Sequence, residues 1–355
     1  MVKSASHLPA LDGLRGLAVL LVVGSHAGHK GIYLVPGLDL RGTGRLGVFL
    51  FFVLSSFLLT HLALGETSER LRSRSYWWGY AKRRVLRVMP AFLAVLTIYG
   101  LDAGWDPIRA LEHVVLLRGE RHFWTVSVEM RWYLLLPVTI GILVWTRDRS
   151  WLGPLVLALG AIGLRFAFPP DYGSIPPDFR PTFFPFVPVF FMGCMAAWLY
   201  RRMGVGSSRA QAQGPVLWEG VGWASLVGLV AHFPALRQAF TDGILEHTRF
   251  HLYFDRIGGL CALLVLGVLL GMGGLRVAFA LAPLRFVGRV SFSLYLSHPL
   301  LLAFVYRHGT TWPDPLPSLV FIGGSLSVAW ILWRWIEIPG VKMARAGYVG
   351  ATRTS

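Results

Sequence analysis

Charge is scarce in this 355-residue chain: Asp, Glu, Lys and Arg make up 15% of it, where a soluble protein carries about a quarter. Acids are scarcer still, 18 Asp and Glu against 34 Lys and Arg, for a net charge of +16. The two cysteines, Cys194 and Cys261, both lie in apolar runs, which leaves neither a disulfide framework nor a zinc site to build on. No G-x-x-x-x-G-K-[ST] phosphate loop, H-E-x-x-H helix or G-x-S-x-G elbow occurs, so the chemistries tied to those motifs have no anchor. The first apolar run lacks a small-residue cleavage site and is expected to stay as a helix. No internal repeat is visible, which weighs against a transporter built from inverted halves.

What fills the chain instead is hydrophobic residue, 54% of it, with 14 Trp. Runs long enough to cross a bilayer recur along it. They predict an all-α, polytopic integral membrane protein with about ten spans, near 9–28, 46–64, 88–104, 124–145, 151–168, 183–200, 216–233, 256–274, 284–305 and 316–336. The basic residues fall in short clusters between these runs, as membrane topology requires, rather than in a patch suited to nucleic acid. With the N-terminus inside, the cytoplasmic segments hold the larger share of Lys and Arg, so both termini are expected in the cytoplasm of a plasma (inner) membrane protein. One integral domain (1–345) and a short cytoplasmic tail (346–355) are expected. A small polar linker (204–214) falls on the inner side. The Pro-rich segment 169–181 and the loop near 234–255 fall on the outer side, where they could line an entrance.

Ionisable residues inside apolar runs need a reason. In LDGLRGLAVLLVVGSH (11–26), Arg15 and His26 are eleven residues apart. That is about 20° from whole turns and roughly 16 Å along the axis, so the two share a helix face at different depths. His26, near the outer end, suits a general base at neutral pH. Asp12 can hold Arg15 through an i,i+3 pair. In HFWTVSVEMRWYLLLPV (122–138), Glu129 falls at a depth similar to His26 and can fix its tautomer; pairing with Arg131 is the plainer use. In AKRRVLRVMPA (81–91), just before the third span, Arg84 and Arg87 share a face and offer two guanidinium forks to one phosphorylated ligand. A topology signal or contact with anionic lipid would produce the same cluster. Ser55, mid-span in GVFLFFVLSSFLLT (47–60), serves helix packing unless a base stands beside it. Tyr295 and His298 in VSFSLYLSHPLLL (290–302) can add a polar wall, though His298 precedes Pro299 and can instead satisfy a broken backbone.

Taken together, these segments resemble the membrane-bound acyltransferase-3 family, which O-acylates sugars on polysaccharides, lipids and glycosylated natural products. LDGLRGLAVLLVVGSHA resembles its opening signature, with Arg15 and His26 in its Arg/Lys, ten residues, His arrangement. Arg84 and Arg87 match its Arg-x-x-Arg motif. FWTVSVEMRWYLLLP resembles its Trp-Ser-Leu-x-x-Glu segment, with Glu129 on the acid. SFSLYLSHPLLL and WIEIPG (335–340) resemble its last two signatures. The chain departs from the family at Phe49, where an acid is usual, and at Ser56, where glycine is usual, so that acid's role does not transfer. Some relatives carry an extra extracytoplasmic hydrolase-like domain; only a short tail follows residue 336 here, and the integral part is expected to serve the acceptor itself or to hand the acyl group on.

The resemblance implies an acyl-CoA donor, acetyl-CoA most often, with no permanently bound cofactor and no metal. It places the donor near Arg15, Arg84 and Arg87, His26 and Glu129 at the chemistry, and a sugar-containing acceptor (polysaccharide, glycolipid or glycosylated metabolite) beyond them. Two rivals use the same residues differently. A transporter or flippase of a lipid-linked glycan would move substrate without covalent change and without acyl-CoA. A membrane scaffold leaves Arg15 and His26 unexplained.

Overall fold

The computed structural model describes residues 8–35, 37–146, 151–168, 183–203, 214–241 and 254–351. The Pro-rich segment 169–181, the linker up to residue 213, the loop from 242 to 253 and the tail from 352 lie outside the described residues.

Among the described residues there is no strand. The helices are α1 (Pro9–Gly28), α2 (Gly44–Ala63), α3 (Ser68–Arg72), α4 (Arg74–Ala103), α5 (Pro107–Val114), α6 (Trp124–Trp145), α7 (Leu152–Ala167), α8 (Val187–Arg202), α9 (Pro215–Ala231), α10 (Pro234–Thr241), α11 (Phe254–Leu270), α12 (Gly274–Phe279), α13 (Ala282–Arg289), α14 (Ser291–His308), α15 (Leu316–Leu332) and α16 (Ile338–Ala351). Among the described residues, six stretches are long and apolar enough to cross a bilayer: Pro9–Gly28, Gly44–Ala63, Arg74–Ala103, Arg121–Trp145, Phe184–Arg202 and Leu316–Ala344. The chain is a multi-pass helical membrane protein.

Three boundaries differ from the sequence expectation. The basic segment 81–91 is not a connection before the third span; it lies within the 30-residue α4. Its Ala, Lys, Arg, Leu and Met are strong helix formers, and the helix continues through Pro90. The single run near 284–305 is broken at Val290 into α13 and α14. The last run passes through a π-helical turn, Trp333–Glu337, into α16, so residue 345 falls inside a helix.

α1 lies at the centre, packed against α2, α13 and α14. Lipid tails are as apolar as leucine, so helices in a membrane gain most from close backbone approach at small residues. A Cβ on Gly47 of α2 would overlap the Ala18 carbonyl. On the opposite side, one on Gly13 would overlap the Phe279 carbonyl, and one on Gly288 the Asp12 carbonyl. α1 is therefore gripped on two faces, and this fixes where Arg15 and His26 point.

The π turn performs a similar service for α4 and α14. Glu337, buried, accepts the Ser293 backbone N–H at 3.1 Å and the Ser293 hydroxyl. Ser293 is the third residue of α14, where N–H groups lack helical partners and the helix dipole favours an anion. Three residues on, Gly340 lets α16 approach the Leu86 carbonyl of α4. The segment WIEIPG thus ties the start of α14 to the stretch of α4 that carries Arg84 and Arg87.

Candidate active site

Two cavities meet at the middle of the helix bundle. The first, about 510 Å³, is lined by Arg15, Arg84, Arg87, Glu129, Tyr133 and Ser55, with Asp12 also on its wall. α1, α4, α6 and α2 each contribute to it. Arg15 donates from Nε and Nη2 to the Ser291 hydroxyl at 3.4 and 3.3 Å. Its charged neighbours are Arg87, Glu129, Asp12 and Glu337. The Glu129 Oε1 accepts from the Ser55 hydroxyl at 2.8 Å and the Tyr133 hydroxyl at 2.5 Å. The Arg84 guanidinium lies 5.8 Å from the Tyr133 ring centre, and its Nε is buried without a hydrogen-bond partner among the described residues. Three guanidinium groups on one wall suit a polyanion that can supply the missing acceptors.

The second cavity, about 620 Å³, is lined by His26, His122, Trp124, Arg121, Arg45 and His29, among others. The two cavities share Val48 and Tyr295 as a common wall. Tyr295 is locked in place: its hydroxyl donates to the His122 carbonyl at 2.7 Å and accepts from Thr125 at 2.8 Å. The His26 Nδ1 stands 2.8 Å from the His298 Nε2. The ring centres are 5.1 Å apart and the planes 15° apart. That spacing is close to the N···N distance plus two ring radii, so the imidazoles meet edge to edge through an in-plane hydrogen bond rather than face to face. His122 approaches the Leu296 carbonyl through Nε2 at 3.0 Å, and its Nδ1 is buried without a partner among the described residues. A carbonyl only accepts, so Nε2 carries the proton and Nδ1 the lone pair. Among the described residues, no group of three or more His, Cys, Asp or Glu is arranged to hold a metal ion.

The turn that delivers His122 is held by charge. Arg121 sits at φ 53°, in the left-handed region, which costs a non-glycine residue on the order of 1 kcal/mol and must be imposed by its surroundings. The preceding Glu120 is gripped by Arg109, with Nε and Nη2 donating to its two oxygens at 2.8 and 2.6 Å, while the Arg118 Nε lies 2.7 Å from Oε1. Burial pushes the Glu120 carboxyl up, but the Arg109 hydrogen bonds and charge, aided by His113 and Arg118, hold it below its ordinary 4.5. A group lowered on folding stabilises fully above its unfolded value and loses that contribution as pH falls through the folded one. The stability gap between wild type and Glu120→Gln in detergent should therefore be constant above about pH 5 and close as pH drops below about 4. Thermal unfolding across that range checks it; a gap that persists at acid pH would mean that the Glu120 charge is not what holds the turn.

Glu129, expected beside His26, is elsewhere. His298 takes the place next to His26, and Glu129 faces Ser55 and Tyr133 in the arginine cavity. Ser55 has a carboxylate, not an imidazole, at its hydroxyl. Phe49, where the resemblance leads to an acid being expected, packs edge-on against Phe254 and Phe186 at 4.5 and 6.2 Å, inside an aromatic core. His122, Tyr133 and Glu337 were not singled out in the sequence. Tyr133 could have been, since it is four residues after Glu129 and so shares its helix face. Glu337 stands in WIEIPG and His122 directly before FWTVSVE, but neither segment names a partner.

Comparison with known proteins places these residues in context. The family model described as an acyltransferase domain matches residues 8–334. The peptidoglycan O-acetyltransferase OatA of Listeria monocytogenes is 24% identical over 385 residues, covering 95% of this chain and 56% of that protein. The O-acetyltransferase OatA of Staphylococcus aureus is 24% identical over 373 residues, covering 95% of this chain and 57% of that protein. The chain thus spans a little over half the length of these curated relatives. No solved structure matches the chain.

Proposed function

The chain belongs to the acyltransferase-3 family, through an acyltransferase domain over residues 8–334, and from that premise we propose that it moves an acyl group, acetyl above all, from acyl-CoA to a hydroxyl of a sugar-containing acceptor. The observation that carries the reading is the pair of cavities, one ringed by arginines and one by histidines, meeting at Val48 and Tyr295. The phosphates of coenzyme A suit Arg15, Arg84 and Arg87, because charge-assisted hydrogen bonds from guanidinium forks are among the strongest available. The pantetheine arm then reaches the shared wall, and the acceptor enters from the histidine side.

His26 acts as general base. It takes the proton of the acceptor hydroxyl as that oxygen attacks the thioester carbonyl. The new C–O bond forms, the C–S bond breaks, and the proton passes from His26 to the departing thiolate. Glu129 holds Ser55 and Tyr133 in place on the donor side and offsets part of the arginine charge. The acceptor is an extracytoplasmic glycan, glycolipid or glycosylated metabolite; the peptidoglycan named for the Listeria relative is the first to try. Residues 1–345 form the working membrane unit, with about ten spans. The larger share of Lys and Arg in the even-numbered connections and the termini supports both termini, and the arginine cavity, on the cytoplasmic side.

The test is reconstitution in vesicles. Radiolabelled acetyl-CoA supplied to the side bearing the C-terminus should label a glycan acceptor on the opposite side. Movement of unmodified glycan without use of acetyl-CoA would replace this reading with the transporter.

A further inference from the structure

His298 is fully buried in α14, immediately before Pro299, and each of its ring nitrogens has a polar partner. Nδ1 lies 3.0 Å from the Leu294 carbonyl, and Nε2 lies 2.8 Å from the His26 Nδ1. A carbonyl oxygen has no proton to give, so Nδ1 of His298 donates. A neutral imidazole carries one N–H, which leaves the His298 Nε2 as a lone pair. The short in-plane contact with His26 then requires the proton to sit on the His26 Nδ1. His26 is left with its own lone pair on Nε2. Two hydrogen bonds, read in order from a backbone carbonyl, fix the protonation pattern of both rings.

We propose that His298 is the positioning residue of the base: it holds His26 in the Nδ1–H tautomer and in one ring orientation, so that Nε2 is the atom that accepts the acceptor hydroxyl's proton. This rests on His26 being the base in the reading above. The same contact supports the reaction as it proceeds. When Nε2 takes the proton, His26 becomes an imidazolium, and its bond to the His298 Nε2 becomes charge-assisted and stronger. A neutral imidazole anchored to the backbone thus does the orienting work that a carboxylate does in a Ser-His-Asp triad. A proton on the His298 Nε2 would reverse the pattern, because His26 would then have to accept at Nδ1 and would present an N–H at Nε2.

Nitrogen-15 NMR of histidine-labelled full-length protein in nanodiscs reads the tautomer directly, with His26→Gln used to assign the signal. His26 is expected to show a protonated Nδ1 and a bare Nε2 at neutral pH. An Nε2–H tautomer in the wild type would overturn the proposal without any variant being made. Kinetics supply the second reading. His298→Leu should lower kcat about 100-fold or more, since a wrong tautomer disables a histidine base, with KM for acyl-CoA little changed. His298→Gln keeps an acceptor oxygen in reach of the His26 Nδ1 and should recover to within about tenfold of wild type. A merely structural His298 predicts that folded Leu and Gln variants are equally active, and that result would overturn the proposal. A wild type with the expected tautomer and no acyl transfer would instead sink the functional reading and leave the tautomer assignment standing.

Discussion

His26→Ala is expected to abolish acyl transfer, with a fall of about a thousandfold or more in kcat, while the protein inserts and binds acyl-CoA as the wild type does. General base catalysis by a positioned histidine is worth about 10² to 10⁴, and the loss should fall in the upper part of that range because nothing nearby can substitute. His122 lines the same cavity, but its Nε2 is committed to the Leu296 carbonyl and its lone-pair Nδ1 is buried. His298 is enclosed, with both nitrogens occupied. The substitution is structurally mild. His26 is only part-buried at a cavity wall, and α1 is held by Gly13, Gly47 and Gly288 contacts elsewhere along its length. Transfer of labelled acetyl from acetyl-CoA, measured on purified protein with expression and acyl-CoA binding as controls, decides the matter. Near-normal product from a well-expressed variant would remove His26 from the chemistry.

The helices were the legible part. α1 and α6 occupy 9–28 and 124–145, the bounds that hydrophobic length alone outlines, because a bilayer demands an uninterrupted apolar run. The break at Val290 was not legible, since GRVSF differs little from a span that dips to a few polar residues. What forces the break is the crossing of Gly288 over the Asp12 carbonyl, a contact between ends of the chain. The candidate site divides in the same way. Depth along a helix can be counted from sequence, and it puts Glu129 and His26 at comparable levels. The direction a side chain faces depends on how its helix is rotated against the others, and that rotation turned Glu129 toward Ser55. The partner of His26 lies 272 residues away, and periodicity carries no information at that range. Arg84 and Arg87 were readable as a pair because i,i+3 geometry is local. That Arg15 joins them in one cavity is a consequence of α1 meeting α4 in three dimensions.

Replacing Arg84 and Arg87 together with Ala should weaken acyl-CoA binding by tens-fold or more. Each charge-assisted contact to a phosphate is typically worth about 1.5–3 kcal/mol, and the sum is discounted because both residues are only part-buried. The expectation rests on what surrounds them. The Arg84 Nε has no acceptor among the described residues, the Tyr133 ring lies under its guanidinium, and Arg15 and Arg87 approach closely enough to repel one another. Glu129, Asp12 and Glu337 offset part of that charge, and a bound anion would offset the rest. Lys at both positions should rescue in part, since an ammonium keeps the charge but loses the planar fork and the stacking on Tyr133. A role in topology or lipid contact alone predicts otherwise: Lys would serve as well as Arg, and affinity in correctly inserted protein would not change. Acyl-CoA binding to the wild type, double-Ala and double-Lys proteins in detergent separates the two. Equal affinity across the three would end the donor-site assignment, and a wild type that binds no acyl-CoA would return the arginine cavity to some other polyanion.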